Sequence, residues 1–158
     1  MAKVYVGCAL TGAPQEFVRT VEAFKTILRS AGHEVTDFLG LTAGTPYDVY
    51  EMDIHRCVAG CEVMIGICDL PSIGLGWELG TAVEKHQKPT MALVGKDSGV
   101  TRLVVGAECD RNPYYNFLRY DDFEHMCQLA LDFIKQMEAE GLASRQTSVL
   151  QFPSGRGV

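Results

Sequence analysis

The chain has 158 residues, 47% of them apolar, and a formal net charge of −6. That length suits one domain that buries roughly 68–70% of its unfolded surface. The acid excess, with no Lys/Arg cluster anywhere, argues against nonspecific nucleic-acid binding, which depends on basic patches. No apolar run reaches the ~18 residues of a membrane-spanning helix, and the opening "MAKVYVGCAL" is interrupted too early for a signal peptide, so the cytoplasm is the expected address.

In chain order, "KVYVGCA" reads as a short buried strand, and Pro14 stands where a helix begins. Phe17, Val18, Val21, Phe24, Ile27 and Leu28 then recur at helical spacing until Gly32 ends the helix. "HEVTDFL" is a second strand. Thr45 and Pro46 look like a cap and first helical position, opening a helix from Pro46 to Ala59. "CEVMIGIC" is apolar enough to be a central strand. "DLPSIGLG" follows as a loop, "WELGTAVEKHQ" as a third helix and "KPTMALVG" as a fourth strand. "SGVTRLVVGA" makes a short helix, "YYNFLRY" a fifth strand and "DDFEHMCQLALDFIKQMEAEG" the last helix. The alternation predicts an α/β domain with a five-stranded parallel sheet, flavodoxin-like in the order 2-1-3-4-5. The catalytic domain is expected over residues 1–140, and residues 141–158 form a polar, glycine-rich tail that Phe152 could anchor.

Six cysteines are present: Cys8, Cys57, Cys61, Cys68, Cys109 and Cys127. His55, Cys57 and Cys61 could face a metal from one helix, but zinc spacing is missing, so buried reduced thiols are expected and no metal.

In such a sheet, ligands bind beyond the carboxyl ends of the strands at the switch point, here between the first and third. Two glycine-rich loops meet there: "GCALTGAP", with Gly7, Ala9, Thr11 and Gly12, and "DLPSIGLG", with Asp69, Ser72, Gly74 and Gly76. Neither is a GxGxxG or a P-loop. Glu78 is expected in the first turn of the next helix, where it could merely complement the dipole. The small Gly80 and Ala82 behind it would let that helix approach the sheet, and Asp53 lies on the preceding helix. Two carboxylates beside one crevice permit glycosyl transfer through an oxocarbenium-like centre.

The segment "PSIGLGWELGTAV" closely resembles the signature of the nucleoside 2-deoxyribosyltransferase-like superfamily, and most closely its 2'-deoxynucleoside 5'-phosphate N-hydrolase branch. "VYVG", "YEMD" and "KPTMALV" keep the same order over about Val4 to Gly106. The resemblance implies Glu78 as nucleophile, Asp53 as the acid that orients the sugar and Tyr5 as its strand-one partner. It also implies Ser72 as a 5'-phosphate contact, and Thr101, with Arg102 beside it, as a contribution from a neighbouring subunit to the same phosphate. A homodimer or higher homo-oligomer follows, with no metal or organic cofactor. Asp53 to Glu78 is one residue longer than the resemblance implies, which requires a helix irregularity; Asp48 and Asp69 are the alternative acids.

Three positions depart from the branch. Ala9 and Thr11 stand where it has Ser and Arg, which weakens a monophosphate substrate, although Arg102 could substitute. Phe38 stands where a histidine is expected, and would either stack on a base or fill core. Trp77 poses the same choice, weighed toward packing. Three functions therefore compete. One is an N-glycosidase on (deoxy)nucleoside 5'-monophosphates that works by a retaining mechanism. The second is a deoxyribosyltransferase on free nucleosides. The third is a nucleotide sensor without turnover.

Overall fold

The computed structural model of the chain describes residues 1–38 and 43–143. Five strands form one parallel sheet: β1 (Lys3–Cys8), β2 (Glu34–Thr36), β3 (Val63–Ile67), β4 (Thr90–Gly95) and β5 (Tyr115–Tyr120), in the order β2-β1-β3-β4-β5. This is the flavodoxin-like order that the alternation predicts. Each crossover carries a helix, as parallel pairing demands. α1 (Gln15–Ser30) and α5 (Phe123–Ala139) cover one face, and α2 (Pro46–Tyr50), α3 (Ile73–Gly80) and α4 (Arg102–Gly106) stand on the other.

Strand residues alternate between the two cores. Val4 and Val6 of β1 enter the α1/α5 core, whereas Tyr5 enters the core beneath α3. β3, buried along its whole length, does the same: Val63, Ile65 and Ile67 on one side, Met64 on the other. The period of two thereby aims Tyr5 and Gly7 at the α2–α3 side.

The structure departs from the predicted boundaries in three places. α3 begins at Ile73, not at Trp77. Ser72 caps it, its hydroxyl accepting the Leu75 amide at 3.2 Å. The cap and the burial of Leu75 and Leu79 outweigh three helical glycines at about 1 kcal/mol each. Glu78 is therefore the sixth helical residue, in the second turn. β2 has only three residues, and Asp37 and Phe38 lie beyond it. α2 runs on, without leaving helical backbone angles, into a π-helical stretch at Glu51–Val58, and α3 does so at Thr81–Lys85. A π turn accommodates one residue more than an α turn, so the helix bearing Asp53 contains an irregularity of the kind its spacing requires.

Thr45 and Pro46 cap α2 as expected, in a reciprocal capping box with Asp48. The expected tail, with Phe152, lies outside the described residues apart from 141–143, as do residues 39–42 of the loop before α2.

Candidate active site

Tyr5 from β1, Asp53 from the π-helical stretch and Glu78 from α3 are mutual electrostatic neighbours. Glu78 is only 9% exposed. Burial pushes its carboxyl up to about 7, the Asp53 charge adds to this, and the Tyr5 hydroxyl opposes it by hydrogen bonding. The second turn explains why the helix dipole does not hold Glu78 down, as the first-turn position would have done, since that effect fades beyond the terminal turn. Asp53 is half-buried, and burial raises its carboxyl too. Tyr5 is buried, and its phenol is pushed up by burial, then by Glu78 and Asp53.

One oxygen on each acid, Asp53 Oδ1 and Glu78 Oε2, is buried and has no hydrogen-bond partner among the described residues. Such a group costs roughly 1–3 kcal/mol, more if charged. Two such oxygens on electrostatically coupled acids lack donors among the described residues, as in a site that receives donors from a bound molecule.

Close approach of α3 comes from the sheet. Gly7 and Gly66 are paired in register on β1 and β3. A Cβ on Gly7 would lie 2.6 Å from Glu78 Oε2 and 2.9 Å from Leu75 Cδ1; one on Gly66 would lie 2.9 Å from Leu79 Cδ2. Of the small helix residues expected to do this, Ala82 is buried but Gly80 is exposed, with nothing within 4 Å of a Cβ. Gly74 precedes Glu78 by one turn on the same side of α3, and a Cβ there would meet only Ser72 Oγ, at 3.8 Å.

A cleft of about 830 Å³ lies along α3 and α4, lined among others by Ser72, Ile73, Gly76, Gly99, Val100 and Thr101. Ser72 and Thr101, expected to meet across two subunits, thus share a cleft within one chain. Their hydroxyls also cap α3 and α4. Among the described residues no charged side chain lines the cleft; Glu78 is not among its lining residues, and Arg102 is exposed outside it.

The other expected residues are dispersed. Ala9 is buried, Thr11 is exposed, and Gly12 turns the chain at φ 71°. Asp48 is spent on the Thr45 amide and hydroxyl at 2.7 and 2.8 Å. Asp69 accepts three protein donors: the Gly95 amide, the Ser98 hydroxyl and the Tyr120 hydroxyl. Phe38 packs at the margin of the core that holds Tyr5, with the Lys25 ammonium 4.2 Å from its ring centroid. Trp77 is 62% exposed rather than packed, 6.1 Å from the Tyr50 ring.

Sequence reasoning missed Lys25. It is 1% exposed and ion-paired with Glu22 and Asp37 at 2.9 and 3.4 Å. The signal was its place on the apolar face, between Val21 and Leu28 at helical spacing. Cys57 is a buried free thiol, as expected, but its place one turn after Asp53 was not foreseen: its thiol is pushed up to about 12 by burial and then by Asp53 and Glu78.

The sheet order and the helices around it make this a flavodoxin-like α/β fold. A solved structure of the Clostridium botulinum CMP N-glycosidase BcmB matches it with a TM-score of 0.65 and 20% sequence identity, over 82% of this chain and 98% of that one. Likeness at that identity shows a common fold. No family model matches the chain, and no curated protein sequence matches it either.

Proposed function

We propose that the protein cleaves the N-glycosidic bond of a (deoxy)nucleoside 5'-monophosphate, with Glu78 as nucleophile. The observation that carries this reading is the pair Asp53 and Glu78, each with a buried carboxylate oxygen unpartnered among the described residues, with the Tyr5 hydroxyl bonded to Glu78. Glu78 attacks the anomeric carbon, the C–N bond breaks with its electrons going to the base, and the base takes up a proton. Water then displaces Glu78 from the glycosyl ester, giving sugar phosphate with retained configuration. Asp53 accepts from a sugar hydroxyl, and the Tyr5 hydroxyl orients and tunes Glu78. Gly74 leaves room for the sugar, and Gly7 makes room for the Glu78 carboxylate against the sheet. The phosphate lies toward Ser72 and Thr101, with Arg102 as counter-charge. The solved structure sharing the fold is named as an N-glycosidase of CMP, a nucleoside monophosphate, which agrees with this substrate class.

A second reading, base exchange on free deoxynucleosides, is supported by the cleft itself, which has hydroxyls but no lining cation among the described residues. The proposed working unit is a pair of chains. Ile73, Trp77 and Leu103, at 93%, 62% and 81% exposure, are apolar surface that a second copy would cover.

The deciding experiment incubates nucleosides and their 5'-monophosphates with the protein and follows free base by chromatography, with and without an acceptor base. Release from monophosphates without acceptor supports the first reading. Release only with acceptor supports the second. No release, or release by Glu78→Gln within threefold of the parent, removes the assignment of Glu78.

A further inference from the structure

Asp69 stands two residues past the end of β3, and its carboxylate binds three partners from elsewhere in the chain. Oδ1 accepts the Gly95 amide at 2.9 Å and the Ser98 hydroxyl at 2.9 Å; Oδ2 accepts the Tyr120 hydroxyl at 2.8 Å. These groups sit at the carboxyl end of β4, in the loop that follows it and at the carboxyl end of β5. The fit is close: a Cβ on Gly95 would lie 2.6 Å from Oδ1, so the carboxylate rests directly on the backbone. Arg119 grips the same loop from β5, donating to the Gly95 and Ser98 carbonyls at 3.0 Å each.

From these anchors the chain leads into both walls of the cleft. Leu70, Pro71 and Ser72 follow Asp69; Gly99, Val100 and Thr101 follow Ser98; all six line it. One carboxylate thus ties together the roots of two loops whose tips present the cleft's two capping hydroxyls. Charge-assisted hydrogen bonds of this kind are short and about twice as strong as neutral ones.

We propose that Asp69 is a positioning residue: with Ser98, Tyr120 and Gly95 it sets the separation of Ser72 and Thr101 and so governs affinity for the sugar's 5' end, without acting on Glu78. This rests on the function proposed above. The latch holds the binding end of the site and leaves the reacting end alone, so its loss appears in KM and not in the ionisation of the nucleophile.

Asp69→Asn, Tyr120→Phe, Ser98→Ala and Ser98→Thr are compared with the parent in amide hydrogen exchange and in steady-state kinetics on the best substrate. Expected are faster exchange at Gly95 and at residues 99–101, and a KM raised about tenfold by Asp69→Asn and severalfold by Tyr120→Phe and Ser98→Ala. kcat stays within about threefold, with an unmoved pH profile, and Ser98→Thr restores the parent KM. Tyr120→Phe and Ser98→Ala carry the test if Asp69→Asn does not fold. Unchanged exchange, unchanged KM, or a shifted pH profile of kcat overturns the inference. A parent that releases no base sinks the functional reading and this inference with it; an active parent whose variants keep its KM sinks the inference alone.

Discussion

Gly7 of β1 lies directly against the carboxylate of Glu78: a Cβ at that position would come within 2.6 Å of Oε2. Because Leu75 Cδ1 would lie only 2.9 Å from the same Cβ, the intrusion has no free direction. Gly7→Ala is expected to push α3 away from the sheet, at a cost of about 1–3 kcal/mol for overpacking, and to lower base release at least tenfold. Urea denaturation and single-substrate kinetics check the two effects. An alanine variant with parental activity would show that the contact is not needed.

Glu78 titrates against the fold. Its carboxyl rises from an ordinary 4.5 to about 7, so the folded state prefers the neutral form. The stability this confers is present below about pH 4.5 and is lost as pH rises through about 7. A displacement of that size corresponds to a penalty on the order of 3 kcal/mol once Glu78 is ionised. Glu78→Gln cannot ionise, so it is expected to be more stable than the parent by about 1–3 kcal/mol at pH 8 and nearly equal to it at pH 4.5. Urea midpoints at the two pH values test this; a gap that does not change with pH would contradict it.

On the proposed mechanism the same ionisation governs rate. A carboxylate attacks and a carboxylic acid does not, so base release is expected to rise about tenfold per pH unit below about 7 and to level off above it. Tyr5 and Asp53 act on Glu78 with opposite signs. Tyr5→Phe removes a stabilising donor and should move the rise to higher pH. Asp53→Asn removes a repelling charge and should move it lower. Variants that shifted the profile the same way would contradict this account of the site's electrostatics.

Arg102 tests the phosphate. If it serves as counter-charge, Arg102→Ala should weaken kcat/KM for monophosphates by about 1–3 kcal/mol, the range for hydrogen bonds to charged groups, and leave free nucleosides little changed. Equal losses on both substrates would remove Arg102 from the phosphate site.

The fold was legible because its signals are local. Buried strands and amphipathic helices alternate, and each apolar run is bounded by Gly, Pro or a capping residue. The start of α3 was less so. Three glycines between Ile73 and Gly80 read as loop, and only the burial of Leu75 and Leu79 on the sheet makes them helix. Glu78 was singled out from its surroundings in sequence, but its place in the helix was misread with that boundary. The approach of Gly7 and the three donors to Asp69 depend on pairings across 26 to 71 residues of chain, which no local pattern encodes. Lys25 escaped notice for a physical reason: a lysine on an apolar stripe is buried only where partners await it, and Asp37 comes from beyond β2.

Trp77 is the chain's only tryptophan and is bonded directly to Glu78. Its indole is more than half open to solvent and tilted at 60° to the Tyr50 ring, which belongs to the helix leading to Asp53. Ultraviolet emission excited near 295 nm therefore comes from one place, between the two helices that carry the acids. On the proposed function, a molecule bound between those two helices, or a second copy covering α3, would each dry that indole and shift its emission toward the blue. The two events separate by dilution, since only the second depends on protein concentration. The molecule carries its own reporter, and no label need be added near the carboxylates to watch them being occupied.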